Sequence, residues 1–464
     1  MSKGLLVNLG LMAGVAAFAL LTSVSSTAAV AAAGGLVLCA GAARRLESIP
    51  RLGLFAIVAL VPLSYIGAQV SAGGMNSLTK LVFLPALALL AIEGILSRRA
   101  LVCGREGLFA ALLTLTFAVS SLANETTPYS GWFFSRFAGV ILLFVLAANA
   151  LRTERDVAHL YVVVVASCLL SVVGSLIVPV SATPNGVWNG ITRMTGWATA
   201  DAPTFGTNVL VALLICVYFA CVTRRSWLRL ALTVTAGLLA IAIVQTYARG
   251  IALVFVASLG YLLFRIRRRV NVLLVLAVLV FLGLCALPLI PGAYIERMSG
   301  AVTHGSSDPT MNRRIASYWI GAKLFMQSPF LGFGPGSVSV QYMSQQFRFI
   351  RSDMAGGCFN LYLSVASQAG LIGLACLGAM LWSSLRSLRF VMTSYREAGA
   401  PENDGFLKQA AEVTEIVLVA LLMTSLFEST DLQKYLWVFI GVSAALAAIR
   451  RGQLAAGRLS GPAP

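Results

Sequence analysis

The sequence predicts an all-α fold: a polytopic membrane helix bundle of about 12–14 transmembrane helices with one large loop on the outer side. Three observations carry this. First, 58% of the 464 residues are hydrophobic, only 11% are charged, and the mean hydropathy is +0.87, which no soluble globular domain matches. Second, apolar runs of about 16–22 residues recur from end to end, each long enough to cross roughly 30 Å of hydrocarbon as a helix. None alternates with the two-residue period of a membrane β-strand. Third, almost every second turn between runs is basic, as at Arg44 and Arg45, Arg98 and Arg99, Arg224 and Arg225, Arg268 and Arg269, and Arg450 and Arg451. The positive-inside rule reads those turns as cytoplasmic and both termini with them. The net charge of +17 is therefore a topology signal rather than a nucleic-acid footprint.

Taken in order, residues 1–130 hold the N-terminal spans, beginning near 4–22 and 27–43, with the first read as retained rather than cleaved. Residues 131–290 hold the central spans, with an outer loop at 180–203. Residues 291–358 form the large outer loop, 359–450 the C-terminal spans, and 451–464 a cytoplasmic tail. The eight cysteines lie mostly in apolar runs without paired spacing, and only His159 and His304 are histidines. Neither a disulfide framework, a metal site nor a bound cofactor is expected.

Positive charge kept on the outer side, against the topology bias, needs a reason. Arg136, Arg193, Arg249, Arg313 and Arg314 are such residues. Arg249 is either an interfacial side chain that snorkels or a ligand-binding cation. Arg136, several residues into its run, is either a partner for a buried polar group or functional. Arg313 and Arg314 open an amphipathic stretch, MNRRIASYWIGAKLFMQ, in which Arg314, Tyr318, Ala322 and Phe325 are spaced to share one helical face. Pro329 ends that helix. Gly332, Gly334 and Gly336 then make a tight turn. It lacks the Lys-Ser/Thr of a nucleotide loop and reads as structural. Asp201 is an acidic partner candidate for Arg193, and Glu428 and Asp431 are expected to pair with Lys434 or an outer arginine.

Several outer arginines around one bundle suit an anionic head group carried by a lipid, because guanidinium forks bind phosphate oxygens bidentately and stay charged. Three stretches sharpen this: TYARGIAL at 246–253, NRRIASYW with SPFLGFGPGS between 312 and 337, and FNLYLSVASQAGLIGL at 359–374. TRMTGWATADAPTFGTN at 192–208 adds a weaker signal. In these stretches the chain resembles the O-antigen ligase and O-antigen polymerase superfamily.

The resemblance implies a multi-pass protein of the bacterial inner membrane with a periplasmic loop, catalysing metal-independent, inverting glycosyl transfer. The donor would be an undecaprenyl-diphosphate-linked glycan and the acceptor a sugar hydroxyl on another lipid-linked glycan or on lipid A-core. Membrane lipids and other polysaccharide-assembly proteins are the further partners implied. Arg249 falls at the family's diphosphate-binding arginine and Arg314 at its loop arginine, with Arg193 a third and Arg313 and Arg136 in the same set. Many ligases carry His-Asn where this chain has Phe359 and Asn360, and that departure favours a polymerase over a ligase. With Phe359 unable to take a proton, Asp353 is expected to orient the acceptor hydroxyl, with Asn360 beside it; Glu428, Asp431 and His304 are the other candidates for that role. A lipid-linked-oligosaccharide flippase and a non-catalytic assembly partner are the alternatives.

Overall fold

The structure is a computed structural model that describes residues 49–63, 86, 102, 104–124, 130–177, 187–188, 191–197, 201–267, 292, 309–339, 357–397 and 405–459. The expected spans near 4–22, 27–43 and 270–290 lie outside these residues. The fold is all-α and polytopic. In chain order the helices are α1 (Ile49–Leu60), α2 (Gly104–Ala123), α3 (Ser130–Ala150), α4 (Glu154–Ile177), α5 (Ala202–Val222) and α6 (Ser226–Gln245). They continue with α7 (Arg249–Ile266), α8 (Pro309–Gln327), α9 (Leu361–Glu397), α10 (Phe406–Thr424) and α11 (Lys434–Leu459). A two-residue antiparallel pair, β1 (Val187–Trp188) with β2 (Ile191–Thr192), stands between α4 and α5. Among the described residues, seven helices are long and apolar enough to cross a membrane.

The most enclosed span is α5, whose residues from Phe205 to Cys216 are buried without a break. A helix apolar all round belongs in the centre of a bundle. Its start is specified locally: Asp201 caps it by accepting from the Thr204 backbone N–H at 3.1 Å, and proline fills its first turn. Around it, α4, α10 and α11 bring together Tyr161, Tyr435 and Phe439, with Tyr161 and Phe439 stacked at 6.4 Å. The Tyr161 hydroxyl lies 2.7 Å from the Thr414 hydroxyl and donates to the Ala410 carbonyl. A phenol inside a bundle needs such partners.

One end of the bundle is held by ion pairs and capped cations. Arg51 pairs with Asp156, Arg265 with Glu415, and the Arg450 guanidinium lies 3.9 Å from the Tyr395 ring while donating to Ser394. The other end carries the turns around 193, 246, 359 and 427.

At that second end α9 is broken. Gly370 has φ 64° and ψ −162°, a conformation essentially reserved for glycine. An unbroken helix would bond Leu371 N–H to Ser367 and Ile372 N–H to Gln368. Instead Leu371 N–H donates to the Pro329 carbonyl at 2.7 Å and Ile372 N–H to Phe330 at 3.4 Å. The two carbonyls so released accept from Phe333 and Gly334, each at 3.0 Å. The glycine-rich turn is thus spliced into the gap in the helix and restores the four broken backbone groups, as a membrane setting requires. Close approach explains the glycines: a Cβ at Gly332 (φ 67°) would lie 2.5 Å from the Gln368 carbonyl carbon, and one at Gly370 would land on the Phe330 carbonyl. Ser120 of α2 and Asn124, just past its end, close the joint through the Gln368 and Gly332 carbonyls.

Before the break, α9 runs from the end of α10, where Leu361 N–H donates to Ser425, to the end of α2 at Ser120. After it, α9 descends along α2 until Ser387 donates to Glu106 at 2.6 Å. The break therefore sits level with the last turn of α2. Broken helices that form transporter sites sit at the bilayer midplane; this one is at one end and is filled by its own chain. Beside the first part of α9 packs α8, through Ala316, Ile320 and Leu324, with Gly321 against Leu363. The expected shared face of Arg314, Tyr318, Ala322 and Phe325 is thus not the packing stripe. It flanks that stripe, half-buried, because the seat against α9 goes to the smaller and aliphatic side chains.

Candidate functional site

Four elements meet at the loop end around Phe427 and Glu428, in the turn between α10 and α11. Residues 193–194 lie on the end of α6: Met194 N–H donates to the Gln245 carbonyl at 2.8 Å and Arg193 Nε to the Thr246 carbonyl at 2.9 Å. These are carbonyls that a helix C-terminus leaves without an internal partner. The chain then passes through Tyr247, which has a left-handed φ of 52°, and starts α7 at Arg249. A cation in the first turn of a helix opposes the helix dipole, so its neighbourhood favours an anion. Gly250 brings α7 against Phe427; a Cβ there would lie 3.1 Å from the Phe427 Cβ.

From α8, Arg314 donates through one terminal nitrogen to the Phe427 carbonyl and through the other to Glu428 Oε1 at 2.7 Å. Both side chains are largely buried, 20% and 13% exposed. Burial raises the Glu428 carboxyl to about 7, with Asp201 raising it further and Arg314 and Arg193 pulling the other way. Burial likewise lowers the Arg193 guanidinium, opposed by Asp201 and Glu428. One field therefore couples Arg193, Asp201, Arg314 and Glu428.

Where the chain returns to α9, the Phe359 ring faces two cations, its centroid 5.3 Å from the Arg313 guanidinium carbon and 5.1 Å from that of Arg314. Tyr318 donates to the Phe359 and Leu426 carbonyls, each at 3.1 Å, and so ties α8 to both sides of the site. Asn360 caps α9: its Oδ1 accepts from Leu363 N–H at 2.9 Å and its Nδ2 donates to Leu426 at 3.3 Å.

Of the residues expected from sequence, Arg193 and Arg314 gather around 427–428, Arg249 starts the helix whose next residue, Gly250, packs on Phe427, and Arg313 joins at Phe359. Arg136 does not join them; it is exposed on α3, and its charge acts on Lys434 at the start of α11. Gly332, Gly334 and Gly336 belong to the splice at Gly370, away from the arginines. Asp353 and His304 lie outside the described residues. Of the late acids, Glu428 pairs with an outer arginine, as expected. Asp431 instead accepts from Ser429 and from Leu432 N–H within its own turn.

Residues 234–378 match the family model described as O-antigen ligase. Over that segment the chain is similar to the O-antigen ligase family. The O-antigen ligase segment runs from α6 through α8 to the middle of α9. It thus holds Arg249, Arg313, Arg314, Phe359 and the splice at Gly370, while Arg193, Asp201 and Glu428 are supplied from outside it. The family points to a glycosyl-transferring enzyme with lipid-linked glycan and acceptor substrates. No curated protein matches the chain.

Proposed function

We propose that the chain transfers a glycan from an undecaprenyl-diphosphate carrier to a sugar hydroxyl at the loop end of the bundle, on the periplasmic side of a bacterial inner membrane. The observation that carries the reading is the gathering of Arg193 and Arg314 around one turn, against which the helix that starts at Arg249 packs. When the glycosidic bond to a diphosphate breaks, negative charge grows on the departing oxygen. Fixed guanidinium groups and the start of α7 stabilise that charge without reorganising. The periplasmic assignment, with both termini cytoplasmic, is supported by the basic turns at the opposite end. Polymerase is favoured over ligase because Phe359, which cannot exchange a proton, precedes Asn360. Asp353 remains a proposed acceptor-orienting residue.

Each arginine replaced by lysine keeps its charge and loses the planar fork. At matched membrane abundance, Arg249→Lys and Arg314→Lys are each expected to slow glycan transfer by about a hundredfold or more, equivalent to about 3 kcal/mol. The assay is conversion of lipid-linked repeat units accumulated in a deletion strain. Wild-type conversion by both variants would remove the arginines from the reaction.

A further inference from the structure

The geometry points to Glu428 as the catalytic base of this transfer: its carboxylate takes the proton of the acceptor hydroxyl from across the Arg314 guanidinium, opposite the donor's diphosphate. The inference rests on the transfer reading above.

Arg314 has a planar fork of five N–H groups. One terminal nitrogen is committed to the Phe427 carbonyl and the other to Glu428 Oε1 at 2.7 Å. A diphosphate that approaches the same fork therefore meets it on an edge other than the one Glu428 holds. Two charge-assisted hydrogen bonds of about 2.8 Å on either side of a group about 2.3 Å wide separate the two sets of oxygens by up to about 8 Å. That is the spacing at which an incoming hydroxyl and a departing oxygen fit on opposite faces of one sugar carbon; inverting glycosidases hold their acid and base roughly 6.5–9.5 Å apart for the same reason.

The proton balance is also right. The acceptor O–H gives its proton to Glu428, and the oxygen forms the new bond to the anomeric carbon. The bond from that carbon to the diphosphate breaks with its electron pair, and the charge released is met by Arg314, Arg249 and Arg193. The charged groups that face Glu428 are Arg314 on α8, Arg193 and Asp201 in the segment between β2 and α5, and the Tyr318 phenol. Burial sets the carboxyl to about 7, so both its proton-accepting and its protonated forms are accessible near neutral pH. A diphosphate that draws on Arg314 and Arg193 weakens the two interactions holding Glu428 ionised, which raises its proton affinity while the acceptor is bound.

The experiment uses the full chain reconstituted in liposomes with the cell's own lipid-linked repeat units, isolated from a deletion strain, and follows the initial rate of glycan transfer from pH 5.5 to 8.5. Wild-type rate is expected to rise with pH through about 7, because the working form is the carboxylate. Glu428→Gln keeps an oxygen for Arg314 and is expected to lose about 10²–10⁴ in rate and to lose the acidic limb with it. Glu428→Asp is expected to be slower but to keep the limb, so its profile decides the matter if the glutamine variant does not fold. Asp353→Asn should leave the limb in place. If Glu428→Gln keeps the wild-type rate and profile, or Glu428→Asp loses the limb, or the limb disappears in Asp353→Asn instead, Glu428 is not the base while transfer stands. If wild-type protein makes no glycan product, the transfer reading itself fails.

Discussion

Substitution of Gly370 by alanine tests the splice between the glycine-rich turn and α9. The backbone there has φ 64° and ψ −162°, and a Cβ would land on the Phe330 carbonyl, part of a backbone that cannot swing aside. Holding a non-glycine residue in that region costs about 1–3 kcal/mol. The clash would also push the 329–334 segment off the helix and so endanger the four hydrogen bonds that link Pro329, Phe330, Phe333 and Gly334 to it. At about 1 kcal/mol net each, with more where a buried group is left unpaired, the loss comes to about 4–6 kcal/mol. That equals the whole stability of a marginal domain, about 5 kcal/mol. The expected outcome is a sharp drop in monodisperse protein by size-exclusion chromatography in detergent, with new protease cleavage between 327 and 339. Gly378→Ala in the same helix is the control. Nothing lies within 4 Å of a Cβ there, and relief of the glycine penalty favours it by up to about 1 kcal/mol. If Gly370→Ala melts with the wild-type protein and resists protease as well, the splice does not hold the turn and the account of these glycines is wrong.

Asn360→Ala should cost about 1 kcal/mol through loss of the cap on α9, read as a lower melting temperature, while Asn360→Ser restores the cap. A serine variant that is stable yet inactive would instead put the Asn360 amide in the chemistry. Phe359→Leu removes the ring between Arg313 and Arg314, worth about 0.5–2 kcal/mol in held geometry, and should raise the apparent KM for the lipid-linked donor while Phe359→Tyr does not. Equal donor dependence in the two variants would show that the ring does not hold the arginines.

The helical class was legible because burial of backbone polar groups in lipid leaves long apolar runs few alternatives, and each described span is such a run. The arginines drew notice for the opposite reason, being charges that the pattern of basic turns does not account for. What the arginines touch was not. Arg193 is held by a backbone carbonyl at a helix end, and carbonyls carry no residue identity to read. Arg314 meets Glu428 across 114 positions of sequence, a pairing no local spacing encodes. The exchange between 329–334 and 367–372 was hidden for the same reason: both stretches read as a turn and a helix, and only their mutual insertion reveals why each has its glycine. Arg136 stands apart from the other arginines because depth in a run says nothing of which side of the helix a residue takes.

The splice and the arginine site are two ends of one device. α8 is fixed at its far end by the turn inserted at Gly370, and near its start by Arg314 on 427–428 and Tyr318 on Phe359 and Leu426. Along its length it is seated on the first part of α9 through Ala316, Ile320 and Leu324. Fourteen residues separate Arg314 from Ser328, about 21 Å of helix at 1.5 Å per residue, so an unanchored far end would translate small rotations into shifts of the guanidinium. A misplacement of about 1 Å in a charge-stabilising group is enough to cost on the order of a hundredfold in rate. The glycines therefore sit away from the arginines and still bear on them: they let two backbones approach closely enough to bond, and that joint keeps the Arg314 end of α8 in register with Arg193 and Glu428.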